Sequence, residues 1–291
     1  MAEYLTTKEL AELLRIKERK VYDLAASGEV PCSRAMGKLL FPRAAVNAWL
    51  ARRSSGLEGL TPAPLPSVFL GSHDPLLDWA LRQSQCGIAT YFDGSLDGIT
   101  RFARGEGIAT GLHIYDAGQD DWNTPIVRER CGTLPAVLVE WAKRQRGLIF
   151  GDKLKTPVTS LADLKGRRFV PRQAEAGAHS LLLHVLERAG LTSGDLDLLP
   201  PVRTEVDAAL AVLEGKAEAT FGLAALAAQY RLPFLPVMEE RFDLVVDRRA
   251  WFEPPMQRFL GFCRSEAFLS RAKELEGYDV SDFGKVHFNG P

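Results

Sequence analysis

Apolar residues at the start of the chain recur with the spacing of two short amphipathic helices. The first helix begins at Thr7, a typical N-cap residue, and the second spans Glu18 to Ser27 and ends at Gly28, which favours the left-handed conformation. Five apolar residues face one side of these helices: Leu10, Leu13, Leu14, Val21 and Leu24. The pattern predicts a helix, a tight turn and a second helix.

A small wing and a third helix follow. Val30-Pro31 and Lys38 to Phe41 flank a turn at Met36-Gly37, which predicts a β-hairpin. Pro42 suits the first position of a helix that continues through Trp49. Residues 1–53 are therefore expected to form a winged helix-turn-helix domain.

In the next segment, apolar residues show no regular spacing. It reads RRSSGLEGLTPAPLPS from Arg52 to Ser67, a composition rich in proline, glycine and serine. Such a composition is typical of a linker, which we place at residues 54–67.

From residue 68 onward, short apolar runs alternate with helical stretches, which favours an α/β fold with a parallel sheet. A return strand at Phe242 to Val246 and a following helix complete the first of two lobes. We expect a two-lobed body at 68–291, with lobe 1 at about 68–146 and 241–291 and lobe 2 at about 147–240. Glu239 and Glu240, just before the return strand, are expected on the hinge surface.

Composition changes this picture in one respect. The 36 Lys and Arg residues nearly balance the 37 Asp and Glu residues, which argues against a strongly basic coat for wrapping nucleic acid or membrane. The balance is uneven, because residues 1–53 hold 10 basic and 6 acidic residues, against 26 and 31 in the remainder. A small basic module precedes a mildly acidic body.

Cysteine usage and hydropathy bear on the cellular compartment. The four cysteines form no C-x-x-C pair, which favours reduced thiols over a zinc knuckle or a disulfide framework. No stretch approaches the ~20 apolar residues of a membrane span, and the N-terminus does not resemble a signal peptide. We expect a cytoplasmic protein that does not bind membranes.

The second predicted helix carries the residues that would contact DNA. A recognition helix in the major groove reads base edges, while cations beside it bind phosphates. Seven residues on this helix and the wing are predicted to bind DNA: Lys17, Arg19, Lys20, Tyr22, Arg34, Lys38 and Arg43. The alternative is that these charges are ordinary solvated side chains.

An ordered series of landmarks covers the first domain. They are Leu5-Thr6-Thr7-Lys8-Glu9-Leu10-Ala11, Lys20-Val21-Tyr22, Gly28-Glu29-Val30-Pro31, Gly37-Lys38, Phe41 and Trp49-Leu50. The series resembles the excisionase/MerR-type winged helix-turn-helix. This resemblance implies binding to duplex DNA, usually as a dimer or cooperatively.

Several loop-to-helix junctions of the body suit an anion, because a helix N-terminus offers unpaired N–H groups and partial positive charge. Ser72 and His73 lie at one junction. Gly94 and Ser95 lie at another, at the carboxyl end of a predicted strand, where ligands bind in open α/β sheets. Lobe 2 offers a further group: Arg172, Gln173, His179 and Glu205. Taken singly, each hydroxyl or acidic group is also explained as a plain helix cap.

A second ordered series spans most of residues 68–291. It consists of Gly71-Ser72-His73-Asp74-Pro75, Gly94-Ser95, Gly98, His113, Asp116, Asn123, Arg146-Gly147-Leu148, Ser160-Leu161-Ala162-Asp163-Leu164-Lys165-Gly166, Arg172-Gln173, Gly215-Lys216-Ala217-Glu218-Ala219, Phe234-Leu235-Pro236 and Phe242-Asp243-Leu244-Val245-Val246. The series resembles the periplasmic-binding-protein-like domain (type II) fused to helix-turn-helix regulators, a relative of molybdate and tungstate binding proteins. The resemblance implies a small ligand clamped between two lobes, with Ser72, Ser95 and Arg172 in matching positions, and adds His113 and Asn123 to the candidates.

One stretch departs from that family. Where relatives have an asparagine before the arginine and then a glycine-serine-glycine-threonine-arginine stretch, this chain reads Pro171-Arg172-Gln173-Ala174-Glu175-Ala176-Gly177-Ala178-His179. A hydroxyl and a guanidinium are missing, and Glu175 adds negative charge. The ligand class therefore stays open between a molybdate-like oxyanion and a carboxylate, sulfonate or other small organic ligand, with His179 or Glu175 reading a different group.

An enzyme is the alternative. Four residues of lobe 1 have metal-ligand chemistry: His73, Asp74, His113 and Asp116. No H-E-x-x-H or G-x-S-x-G motif accompanies them. We therefore expect no catalytic residue, cofactor or metal. The sequence predicts a ligand-responsive transcriptional regulator that binds operator DNA as a homodimer and senses a small anion or organic acid. The competing hypothesis is a metal-dependent enzyme.

Overall fold

The computed structural model describes residues 4–35, 37–53, 64–151, 154 and 158–291. The chain divides into two units, one up to Pro64 and one from Leu65 onward. Most of the predicted linker (54–63) and Met36 of the predicted turn lie outside the described residues.

The N-terminal unit combines helices with a small antiparallel sheet. Its helices are α1 (Thr7–Leu14), α2 (Glu18–Ala26) and α3 (Arg43–Arg53), and its strands are β1 (Tyr4–Leu5), β2 (Ser33–Ala35) and β3 (Lys38–Pro42). The sheet order is β1-β3-β2, so the predicted wing hairpin is extended by a strand that the pattern did not reveal. The N-cap of α1 is Thr6 instead of Thr7, because Glu9 completes a capping box with Thr6.

The core of this unit comes from one side of each helix. Val21 of α2 is fully buried and Leu24 half-buried, as the helical period predicts. They pack with Leu10 of α1, Phe41 of β3 and Val46 of α3. Gly28, at φ +72°, ends α2 in the left-handed region. The helix-turn-helix fold is therefore confirmed.

The body is a mixed α/β fold. Its first part comprises β4 (Val68–Gly71), α4 (Pro75–Gln83), β5 (Ala89–Phe92), α5 (Ser95–Ala103), β6 (Ala109–Leu112), a hairpin of β7 (Tyr115–Asp116) and β8 (Asp121–Trp122), and α6 (Thr124–Cys131). Strands β4, β5 and β6 are parallel and form the centre of lobe 1.

Lobe 2 is built around a second parallel group. It comprises 3₁₀ turns at Leu161–Leu164 and Ser193–Asp195, β10 (Arg168–Phe169), α7 (Gly177–Arg188), β11 (Asp197–Leu198), α8 (Glu205–Leu213), β12 (Ala219–Leu223) and α9 (Ala224–Tyr230). The chain then returns through β13 (Phe234–Asp247) to α10 (Arg248–Trp251), α11 (Pro254–Phe262), α12 (Glu266–Glu274), β14 (Tyr278–Asp279) and β15 (Val286–Asn289).

Two long antiparallel strands, β13 and β9 (Ala136–Phe150), join the lobes. The sheet order is β11-β10-β12-β9-β13-β6-β4-β5, with β14 and β15 paired to β9. The sheet is therefore mixed: the predicted parallel layer is present within each lobe, and the long strands β9 and β13 pair antiparallel between them. Strand β9 is continuous from Ala136 to Phe150 through its polar middle, so the lobe boundary expected at about residue 146 falls within a strand that both lobes share.

Each lobe has apolar clusters on both faces of its sheet. Phe69 and Leu70, adjacent in β4, point into two different clusters of lobe 1, and Leu148 and Ile149 of β9 do the same in lobe 2. Successive side chains of a strand point to opposite faces of the sheet, so both faces of this sheet are covered by apolar groups. Among the helices that the structure describes, none is long and apolar enough to span a membrane.

Candidate functional site

The outer surface of α2 is cationic. Lys17, at its N-cap, and Arg19, Lys20 and Tyr22 are all exposed, while Val21 between them is fully buried. The helical period thus separates the basic side from the packed side, as the sequence predicted. This arrangement leaves the N-terminal half of α2 accessible to a polyanion.

The wing lies beside α2. Arg34 and Lys38 are exposed on the hairpin, where Arg34 pairs with Leu39 across the strands. A cleft of about 370 Å³ lies between Tyr22, the C-terminal turns of α2 and these wing residues. Arg43, by contrast, is half-buried at the start of α3, near the Glu9 carboxylate. Hydrogen bonds from Thr6 are the main cause that lowers the pKa of Glu9, and the charge of Arg43 lowers it slightly further.

In the body, two buried serines form the centre of the second candidate site. Ser72 follows β4 and Ser95 begins α5, and their Oγ atoms lie 2.6 Å apart. The Ser95 hydroxyl also accepts a hydrogen bond of 3.2 Å from the backbone N–H of His113, which follows β6. Adjacent parallel strands thus bring Ser72, Ser95 and His113 together at their carboxyl ends.

The N-termini of α5 and α7 meet at these serines. The Leu96 N–H donates to the Glu175 carbonyl across the two lobes at 3.2 Å. A Cβ on Gly177, the first residue of α7, would lie 2.5 Å from the His113 carbonyl oxygen and 3.1 Å from Ser95 Oγ. Gly94, at φ +120°, would place a Cβ 2.7 Å from the Glu175 oxygen. The lobes can approach this closely because glycine stands at both contacts.

A polar contact supports the same approach. Gln173 Nε2 of lobe 2 donates to the Asp93 carbonyl at 2.7 Å, and Arg203 pairs with the Asp93 carboxylate. Hydrogen bonds from Arg203 lower the pKa of Asp93. Gln173, a predicted ligand residue, therefore holds the lobes together in this conformation.

Six buried charged side chains cross the sheet in a series of alternating sign: Asp74, Arg144, Glu240, Arg146, Glu205 and Arg172. Arg146 lies at its centre, with Nε 2.7 Å from Glu240 Oε2 and Nη2 2.9 Å from Glu205 Oε1. Arg144 joins Glu240 to Asp74, with Nη1 2.7 Å from Asp74 Oδ2. Three cations balance three anions, so this buried network carries no net charge.

The network decides the role of Arg172. Its Nη1 lies 3.2 Å from Glu205 Oε1, while Nε and Nη2 donate to the carbonyl groups of Val202 and Arg203. The guanidinium that was predicted as a cationic fork is thus already bound by groups of lobe 2. Glu205, predicted at a helix start, is buried at the first position of α8, where Thr204 is the N-cap.

The network also fixes protonation states. Burial by itself would raise the pKa of Glu240, but the guanidinium groups of Arg144 and Arg146 outweigh burial and hold that pKa well below the ordinary value. Burial lowers the pKa of His113, so its ring is neutral and donates from Nδ1 to Glu240 Oε2 at 3.0 Å. For Glu205, the attraction of Arg146 and Arg172 overcomes burial and lowers the pKa to about 2.

Three further predicted ligand residues are His73, His179 and Asn123. His73 packs edge-on against Phe92, and the Nδ1 atoms of His73 and His179 are enclosed without a hydrogen-bond partner in the described structure. Asn123 is fully buried elsewhere, donating to Asp243 and accepting from the Ile114 N–H. It supports the loop after β6.

Sequence reasoning missed the strand residues of the network. Glu240 was expected on the hinge surface and is fully buried, because Arg144 and Arg146 of the neighbouring strand enclose its carboxylate. Arg144 and Arg146 are two positions apart in β9, so they share a face of the strand. Two alternate arginines in a strand flanked by apolar runs were the available signal.

The four residues considered as metal ligands do not come together. Asp74 accepts from the Leu77 N–H, Trp141 and Arg144, and Asp116 closes a turn onto the Gly118 N–H. Over the described part of the chain, no group of potential metal-ligand atoms includes His73, Asp74, His113 or Asp116.

Comparison with known proteins identifies both units. A family model described as the PBP superfamily domain matches residues 78–264, and one described as a helix-turn-helix domain matches residues 4–54. The uncharacterized protein YvgK of Bacillus subtilis (strain 168) is 24% identical over 299 residues, which cover 97% of this chain and 96% of that protein.

Solved structures resemble the body. PhnD1 from Prochlorococcus marinus (MIT 9301), in complex with methylphosphonate, has a TM-score of 0.50 at 12% identity, over 74% of this chain and 92% of that chain. The alkanesulfonate-binding protein SsuA from Xanthomonas axonopodis pv. citri, bound to MOPS, has a TM-score of 0.47 at 16% identity, over 73% and 79%. At these identities the likeness concerns the fold alone. The two domain families together indicate a regulator or binding protein instead of an enzyme.

Proposed function

The chain belongs to the PBP superfamily and carries an N-terminal helix-turn-helix domain, and from this premise we propose that it is a one-component transcriptional regulator. The regulator binds operator DNA through α2 and the wing. It senses a small anion or organic acid between the lobes of its body.

One observation carries the ligand proposal: the N-termini of α5 and α7, from different lobes, face each other at the Ser72–Ser95 hydroxyl pair. Two helix N-termini supply partial positive charge and N–H donors to an anion. His73, next to Ser72 in the chain, and His179, two residues after Gly177, add hydrogen-bonding capacity, because the Nδ1 atom of each is enclosed without a partner among the described residues. Because Arg172 is neutralised by Glu205, the ligand's charge is met by these dipoles and hydroxyls.

Closure of the lobes is the step that we assign to the ligand. A ligand bound by α5 and α7 together stabilises the conformation in which Leu96 reaches Glu175. If closure changes the spacing of two recognition helices in a homodimer, it changes DNA affinity, since the helices must reach successive major grooves. A coupling of about 1 to 3 kcal/mol is typical of such regulation.

A thermal-shift screen of the full chain tests ligand sensing. The panel contains phosphate, methylphosphonate, sulfate, molybdate, small carboxylates and small sulfonates. We expect at least one compound to raise the melting temperature of the wild type and of the control Ser180→Ala, whose serine is exposed on α7. Ser95→Ala removes the shared hydroxyl and should abolish that shift. An equal shift in Ser95→Ala would contradict the assigned site.

A second variant tests whether closure of the lobes is what changes DNA affinity. Gly177→Ala places a Cβ 2.5 Å from the His113 carbonyl oxygen and should prevent the observed approach of the lobes, whereas Gly261→Ala on α11 meets nothing within 4 Å. In a gel-shift assay with an operator selected from random duplexes, the ligand should change the DNA affinity of wild type and Gly261→Ala but not of Gly177→Ala. A ligand effect retained in Gly177→Ala would refute closure as the switch.

A further inference from the structure

Three neighbouring strands of lobe 1 bring together side chains that no part of the ligand site uses. Glu140 of β9 pairs in register with Asp243 of β13, at a register shift between Phe242 and Asp243. On the other side of β9, β15 runs antiparallel and carries His287. The sheet thus places two carboxylates and an imidazole side by side, although 147 residues of chain separate Glu140 from His287.

The geometry of the three side chains suits one metal ion. One ligand atom from each residue lies within 4.8 Å of the others, and His287 Nε2 is 2.8 Å from Glu140 Oε2. Glu140 and Asp243 are buried, whereas His287 is partly exposed, which gives an ion a route from solvent. Carboxylate oxygen and imidazole nitrogen are both zinc ligands, so these three side chains with a water as the fourth ligand satisfy the tetrahedral coordination of Zn²⁺.

The surroundings of Asp243 provide a second, independent observation. Its Oδ2 accepts hydrogen bonds from Asn123 Nδ2 at 2.8 Å and from Arg241 Nε at 2.9 Å. Its Oδ1 is enclosed and accepts no hydrogen bond in the described structure. A buried carboxylate oxygen without a partner is costly, and outer-shell donors on one oxygen commonly orient a ligating carboxylate. Asp243 is therefore held as a ligand would be, with one oxygen unused.

We propose that Glu140, Asp243 and His287 bind a divalent first-row transition-metal ion, of which Zn²⁺ is the best fit. Two carboxylates neutralise the charge of the ion, and the imidazole favours it over Mg²⁺ and Ca²⁺, which prefer oxygen ligands. The ion fastens β15 to the strands β9 and β13. This site is separate from the proposed sensing of an anion, and neither depends on the other.

Equilibrium dialysis of the chelator-treated full chain against Zn²⁺, with bound zinc measured by mass spectrometry, tests the site. We expect one ion per chain at micromolar Zn²⁺, and a melting temperature that rises with Zn²⁺ but not with millimolar Mg²⁺. His287→Asn and Asp243→Asn should each weaken binding at least tenfold. His184→Asn, which removes a partly exposed histidine of α7, is the matched control and should bind as the wild type does.

The absorption spectrum of bound Co²⁺ distinguishes this site from a cysteine site. Because it is measured on the wild type, it tests the proposal even when a variant folds poorly. Co²⁺ in the wild type should give the visible bands of a tetrahedral oxygen and nitrogen site, and Zn²⁺ should displace it. Three results would overturn the proposal: substoichiometric zinc in the wild type, unchanged affinity in His287→Asn, or a thiolate-to-cobalt charge-transfer band.

Discussion

The two units of this protein place their charges in opposite ways. In the helix-turn-helix unit, Lys17, Arg19 and Lys20 project into solvent from a helix whose other side is packed. In the body, Arg144 and Arg146 are almost fully buried and are enclosed by carboxylates. The same residue type thus offers charge to a partner in one unit and holds strands together in the other.

The contrast shows how burial changes what a charge does. An exposed charge is strongly screened and contributes little to stability, but it remains available to a polyanion. A buried charge is stable only while its partners are present, so removal of one partner is costly. Substitutions in the body should therefore affect folding, and those on α2 should affect binding.

The largest effect is expected at Glu240. Glu240→Gln leaves Arg144 and Arg146 without their shared carboxylate and should lower the free energy of unfolding by about 3 to 5 kcal/mol. Urea unfolding followed by tryptophan fluorescence measures the loss. The exposed neighbour Glu239→Gln is the control and should change stability by less than about 0.5 kcal/mol. Similar values for the two variants would show that burial does not set the role of the charge.

The next effect depends on pH. The folded-state pKa of Glu205 is about 2, below its ordinary value of 4.5, so its ionised form stabilises the fold above pH 4.5. This contribution, about 3 kcal/mol at neutral pH, is lost as the pH falls from 4.5 towards 2. The difference in unfolding free energy between wild type and Glu205→Gln should narrow over that interval. A difference that is constant from pH 7 to pH 3 would contradict the assigned ion pairs.

On the helix-turn-helix unit, the double variant Arg19→Ala/Lys20→Ala should leave folding unchanged and weaken binding to the selected operator about tenfold or more. If both side chains contact phosphates, the slope of log affinity against log salt should become shallower by about 2. The double variant Arg264→Ala/Lys273→Ala removes the same charge from exposed positions of the body and serves as the control. Equal affinities would end the assignment of α2 as the recognition helix.

The smallest effect concerns a cap. Thr6 accepts from the Glu9 N–H and completes a capping box, so Thr6→Ala should destabilise α1 by about 1 kcal/mol. Thr7→Ala, one residue further on, should cost less than about 0.5 kcal/mol. Hydrogen exchange of α1 in the full chain compares the two variants. A larger destabilisation of α1 in Thr7→Ala than in Thr6→Ala would identify Thr7 as the N-cap.

Local elements were the most predictable part of the fold. The sequence pattern predicts a helix at Pro75–Gln83, and α4 has those bounds, because Asp74 caps it, Pro75 fits its first turn and its apolar residues keep the helical period. Helices α1 and α2 were predictable for the same reason. The N-cap of α1 was misplaced by one residue because two threonines stand side by side, and Glu9 selects the first.

The long strands β9 and β13 were less predictable. Lys143 to Arg146 interrupt the apolar run of β9 with polar residues, and the predicted boundary between the lobes lies at the end of this stretch. In the structure these residues continue the strand, since Glu205 and Glu240 satisfy the arginines inside the protein. The position of Ser95 after a strand was easier to predict, because loops at the carboxyl ends of parallel strands are local features. Its contacts with Ser72 and His113 depend on the fold.

The sequence by itself determined the helical and strand periods, the change of composition near residue 54 and the side of α2 that carries its charges. These features depend on residues within a few positions of one another. Only the tertiary structure decided which charges are buried and which are available to partners. Arg146 meets Glu205 and Glu240 across 59 and 94 residues of chain, and the folding of the sheet alone brings such distant groups within hydrogen-bonding distance.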